Sequence, residues 1–81
     1  MNTPQGLTQA VADALTAEKA VQRITFDALV EATGISRSQV IRYFKGTRSM
    51  TTDDLESICA ALGLDPFEVV AEASRRRKRN S

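Results

Sequence analysis

Apolar residues recur along this chain at spacings of three and four, and no stretch alternates apolar and polar positions over strand length between turn signals. Leu7, Val11, Ala14 and Leu15 share one face, with Asp13 and Glu18 off it, which predicts a first helix over about 7–19. Residues 20–23 then lead to Ile24 and Thr25. Thr25 suits the N-cap of a second helix, with Asp27 in its first turn, Ala28, Leu29 and Ala32 facing inward, and Gly34 as its stop. Ile35 sits in the turn. Ser36 caps a third helix in a capping-box pattern with Gln39, Val40, Tyr43 and Phe44 form its inward stripe, and Gly46 ends it. Thr51 and Asp54 repeat the capping pattern before a fourth helix with Leu55, Ile58, Cys59 and Leu62 on one side and Gly63 at its end. Asp65, Pro66 and Glu68 supply the cap, first-turn proline and first-turn acid of a fifth. Phe67 and Val70 give that helix its apolar side, with Val69 and Ala73 as further candidates, and the basic run 75–79 with Asn80 and Ser81 is expected to fray.

Charge adds what periodicity does not show. The net charge is only +1, yet residues 1–74 carry six basic and ten acidic side chains, net −4, while 75–79 carry five basic ones. Within the acidic body one window is inverted. Between Glu31 and Asp53 there is no acid, whereas Arg37, Arg42, Lys45 and Arg48 fall there. Basic charge gathered on one element is what a phosphate-binding face requires.

The two helices meeting at Gly34-Ile35-Ser36 have the composition of a helix-turn-helix: a glycine for the tight turn, Ile35 to pin it, and Val40 to pack the second helix on the first. The outer face of that second helix carries Arg37, Ser38, Gln39 and Arg42, with Ile41 beside them. Arginine donates two bonds to guanine, glutamine pairs in both directions with adenine, and serine adapts to either, so these four are the expected base contacts in a major groove. Thr25 and Ser36 at helix N-termini, and Lys45, Thr47 and Arg48 after the recognition helix, are the expected phosphate contacts.

Residues 25–46 followed by 52–71 resemble the Cro/C1-type, phage-repressor-like helix-turn-helix family. The resemblance rests on Gly34-Ile35-Ser36-Arg37-Ser38 at the turn, on Val40, Arg42 and Gly46, and on Leu62-Gly63-Leu64-Asp65-Pro66 at the last junction. It implies an all-α, five-helix lambda-repressor-like domain with the helix-turn-helix at helices 2 and 3, binding double-stranded DNA as a homodimer on a near-palindromic operator. Its base-reading positions map onto Arg37, Ser38, Gln39 and Arg42. Phe26 stands where the family often has a phosphate-bonding glutamine, and Val30 where it has a small alanine, which passes the phosphate role to Thr25. Residues 40–45 also resemble the recognition helix of the TetR family, but the junction at 62–66 favours Cro/C1.

The expected organisation is a DNA-binding domain over 1–74 and a basic tail over 75–81, in one chain that buries roughly 60% of its unfolded surface. A cytoplasmic transcription regulator, expected to be a repressor in a bacterium or phage-infected host, is the reading that follows; an antitoxin and a protein-interaction module on the same fold are the alternatives. The fifth helix is the expected dimer element, through Val69, Val70 and Ala73. No apolar run spans a bilayer, and no charged-then-apolar start resembles a signal peptide. With no histidine, no metal-ligand cluster and no phosphate-cradling loop, no enzyme activity, cofactor, metal or small-molecule ligand is expected. Blander roles stand beside the functional ones: Gln39 as a cap, Tyr43 and Phe44 as core, Cys59 as a buried small hydrophobe, and 75–79 as a solvated tail.

Overall fold

The computed structural model describes the backbone of residues 4–79 and the side chains of residues 6–76. It has five helices: α1 (Pro4–Gln22), α2 (Phe26–Thr33), α3 (Arg37–Lys45), α4 (Thr52–Leu62) and α5 (Pro66–Arg79). No strand occurs among the described residues. All four expected caps are formed. Thr25 Oγ1 accepts the Ala28 N–H at 3.0 Å, Ser36 Oγ that of Gln39 at 3.3 Å, Thr51 Oγ1 that of Asp54 at 3.0 Å, and Asp65 Oδ1 that of Phe67 at 2.9 Å. Each satisfies a first-turn amide that no carbonyl of its own helix can reach.

Helix ends follow the same local logic, with one departure. Gly46 (φ 79°) lies in the left-handed region, and its own and the following amide close back on Tyr43 and Arg42 carbonyls at 3.2 and 3.1 Å. An added Cβ there would meet the Gln9 side chain of α1 within 3 Å, so the turn after α3 is also where α1 approaches closely. α1 ends in the same way without a glycine. Arg23 takes φ 58°, its amide reaches the Ala20 carbonyl at 3.2 Å, and Ile24 reaches that of Lys19 at 3.1 Å. α1 thus ends at Gln22, three residues past Lys19, where the left-handed arginine turns the chain.

The core gathers Leu15 from α1, Leu29 from α2, Val40 and Tyr43 from α3, and Ile58 and Cys59 from α4, each with at most 1% of its surface exposed. Burial pushes the Cys59 thiol up, with Asp65 adding to the shift, so the group stays a neutral apolar filler. α1 is the strut of the assembly. It packs along α5 and against α3, while α2 packs on α3 and α4. Its polar side chains tie down backbone elsewhere: Thr16 Oγ1 donates to the Phe44 carbonyl (3.2 Å) and Gln22 Nε2 to the Leu62 carbonyl (2.7 Å). Phe26 meets Phe44 edge-on with centroids 5.6 Å apart, and Lys19 Nζ lies 4.2 Å over the Phe26 ring.

Two inward faces differ from expectation. On α2, Ala28 and Ala32 are exposed and Val30 joins Leu29 against the core. On α5, Val69 and Ala73 are buried on the side that meets α1, while Phe67 is 84% exposed. Val69 and Ala73 are four apart, so they share a face; Phe67 sits in the first turn and points away from it. Of the three residues assigned to a dimer contact, Val69 and Ala73 are therefore already used inside the domain, and Val70 is half-buried. The basic run also differs, because α5 continues through Arg79 instead of fraying. Glu72 bonds Arg75 and Arg76 one turn on, at 2.8 and 3.4 Å, and cations favour a helix C-terminus. Asn80 and Ser81 lie outside the described residues.

The left-handed Arg23 yields a stability test. An L side chain in that region costs roughly 1–2 kcal/mol, and glycine returns about 0.4–1 kcal/mol of this as unfolded-state entropy. Arg23→Gly should therefore stabilise the domain by about 0.5–1 kcal/mol, read as a higher urea midpoint with an unchanged slope.

Candidate nucleic-acid interface

Burial of Val40, Tyr43 and Phe44 fixes how α3 is rotated about its axis. The opposite face then follows from the helical period, and Arg37, Ser38 and Arg42 are exposed on it, with Gln39 half-buried at its margin. Thr25 and Ser36 are exposed at the N-termini of α2 and α3, where each hydroxyl accepts a helix amide and keeps its own proton to donate. Lys45, Thr47 and Arg48 are exposed at and beyond the far end of α3. Every expected contact residue is thus exposed except Gln39, which is half-buried. Thr47 differs in detail. Its hydroxyl donates to the Arg42 carbonyl at 3.3 Å, so that proton is already committed.

Other side chains at this face were not singled out from sequence. Asp27, taken only as a favourable first-turn acid, forms an ion pair with Arg37 across the turn, with both partners largely exposed. Tyr43, taken as core, donates its hydroxyl proton to the Asp54 carboxylate and accepts from Gln39 Nε2 at 3.2 Å. Gln39 and Asp54 were both expected to complete reciprocal capping boxes. Only the half with Ser36 and Thr51 as acceptors is seen, and the two long side chains meet at Tyr43 instead. Thr8 and Gln9 of α1 line a shallow recess with Gly46, Thr47, Arg48 and Ser49, and Thr8 Oγ1 lies 2.9 Å from Ser49 Oγ. Asp27 sits ten positions from Arg37, Tyr43 eleven from Asp54 and Thr8 forty-one from Ser49, and helical periodicity is blind to such separations. Among the described residues no group of His, Cys, Asp and Glu could hold a metal ion, and no helix is long and apolar enough to cross a membrane.

Burial raises the Tyr43 phenol above its ordinary value, and the Asp54 carboxylate raises it further by hydrogen bond and charge. Unfolded tyrosine loses its proton near pH 10, so Tyr43's contribution is complete below about pH 10 and lost as pH rises through the higher folded value. Tyr43 is the sole tyrosine of the chain, so tyrosinate absorbance reports it alone. The absorbance should titrate above pH 10 in the folded protein and near pH 10 in urea, and Tyr43→Phe should remove that component of the alkaline loss of stability.

Comparison with known proteins bears on the whole arrangement. The Cro/C1-type HTH DNA-binding domain matches residues 15–71, which takes in all of α2, α3 and α4. Two crystal structures of the clp gene regulator ClgR from Corynebacterium glutamicum are similar. One superposes with a TM-score of 0.84 at 27% identity, covering 91% of this chain and 79% of that one. The other gives 0.79 at 28% identity, covering 86% of this chain and 91% of that one. No match was found among curated proteins. With the family pattern running through the core helices and the turn that joins α2 to α3, this chain belongs to the Cro/C1-type helix-turn-helix DNA-binding family.

Proposed function

We propose that this chain is a sequence-specific regulator of transcription, a repressor that binds a near-palindromic operator in duplex DNA as a homodimer. The observation that carries this is the exposed face of α3, opposite the buried Val40, Tyr43 and Phe44, which holds Arg37, Ser38 and Arg42 from the acid-free basic window of the sequence. On it Arg37, Ser38, Gln39 and Arg42 read base edges in the major groove, while Thr25, Ser36, Lys45, Thr47 and Arg48 hold phosphates on either side. The likeness to ClgR, a clp gene regulator, supports regulation of transcription as the use of that face.

Symmetry follows from the way one recognition helix covers a short half-site. Two copies on one side of the duplex place their α3 helices about one helical turn, roughly 34 Å, apart. Val69 and Ala73 are occupied by α1, so the apolar surface open to a second copy is elsewhere, with Phe67 its most exposed member. Fragments selected from random duplexes should contain two inverted half-sites centred about 10 base pairs apart. A single asymmetric half-site, with a monomer by light scattering on and off DNA, would overturn the dimer.

Charge on the face divides into two kinds. Arg42 has no carboxylate partner among the described ion pairs, whereas Arg37 is held by Asp27. Arg42→Ala should weaken binding to the selected site by roughly 1–3 kcal/mol and lower non-specific binding far less; an equal loss on every sequence would make it a phosphate contact. Asp27→Asn removes the carboxylate that opposes phosphate beside Arg37. Its non-specific affinity should rise, and the slope of log K against log salt should steepen by up to about 0.9, as measured by fluorescence anisotropy between low and moderate salt.

A further inference from the structure

Tyr43 is 1% exposed and spends its hydroxyl on two polar side chains from different helices. Gln39 lies one turn before it on α3, and Asp54 comes from the first turn of α4. The direction of each hydrogen bond is set by chemistry. An ionised carboxylate only accepts, so the Tyr43 proton goes to Asp54. The phenol oxygen is left as an acceptor, and Gln39 must offer it an N–H, not its carbonyl; Nε2 lies 3.2 Å away. One proton of Nε2 is thereby used, and the second proton and Oε1 remain for the DNA side. One donor and one acceptor on a fixed plane complement N7 and N6 of adenine, whereas guanine presents two acceptors there.

We propose that Tyr43 and Asp54 are positioning residues for base recognition: the relay from Asp54 through the Tyr43 hydroxyl fixes the rotamer and amide sense of Gln39, so that Gln39 selects adenine at one operator position. The proposal rests on the reading of Gln39 as a base contact. An untethered glutamine must lose its rotamer freedom as it meets the base, and a tethered one has lost it on folding. The Asp54 carboxylate is thereby engaged across the α3–α4 boundary, while its own amide donates to the Thr51 cap.

The test compares base preferences of the full chain, selected from random duplexes, with those of three variants. Gln39→Ala locates the position that Gln39 reads. Tyr43→Phe removes the acceptor. Asp54→Asn keeps the shape but supplies an amide that both donates and accepts, so the phenol can reverse and the Gln39 amide can turn over. Expected is an A·T pair lost with Gln39→Ala, whose adenine preference falls about fivefold or more in Tyr43→Phe and Asp54→Asn, with other positions unchanged. A purely structural role would instead weaken all positions alike, and that outcome overturns the relay. Full preference retained in either folded variant overturns it as well, with Gln39→Ala still altered. If Gln39→Ala changes no preference, or the position it changes is not an A·T pair, the base contact itself fails. Thermal melting checks each variant, and Asp54→Asn alone decides the matter if Tyr43→Phe does not fold.

Discussion

The recognition face depends on one constraint: a nine-residue helix, α3, has to be core on one side and reader on the other. Val40, Tyr43 and Phe44 settle its rotation, because turning them out of the core would expose three large side chains at once. Phe26 strengthens the same constraint from α2 by meeting Phe44 edge-on under Lys19 of α1. Its place at the start of α2, where a glutamine would bond a phosphate in the family pattern, is thus a packing role that ties three helices together. One residue earlier, the exposed Thr25 hydroxyl caps the same helix.

A small domain has little apolar area to spare, and much of the remaining order comes from polar side chains closing backbone ends. α1 does this at a distance. Thr16 holds the carbonyl of Phe44 near the end of α3, Gln22 holds that of Leu62 at the end of α4, and Gln9 closes over Gly46. Both carbonyls belong to last turns, which have no amide of their own helix to accept. The first helix, featureless as a motif, therefore supports the ends of both α3 and α4.

What was legible in the sequence was local. The caps at Thr25, Ser36, Thr51 and Asp65 and the left-handed glycines at 34, 46 and 63 depend on residues within three or four positions, and each appears as read. The end of α1 was not legible, because arginine at 23 has no sequence mark of a left-handed residue. The inner faces of α2 and α5 were misjudged for another reason. A short helix with apolar residues on adjacent positions, such as Leu29-Val30 or Val69-Val70, fits several rotations, and only the neighbouring helix chooses among them. Of the site, the exposed face of α3 was recoverable from period alone, but its side-chain partners were not: Asp27 and Asp54 reach it across a turn and from the next helix.

Those two acids change how the charge of the face should be counted. By sequence the window between Glu31 and Asp53 is purely basic, but the residues just outside it fold onto its readers. Asp27 holds Arg37 directly, and Asp54 reaches Gln39 through Tyr43. An acid beside a DNA face opposes phosphate everywhere along the duplex, so on the proposed function it weakens non-specific binding while ordering the side chains proposed to read bases. The cations of the window that enter none of the described ion pairs, Arg42, Lys45 and Arg48, all lie beyond the α2–α3 turn. Specificity in such a domain depends as much on where negative charge is kept as on where positive charge is placed.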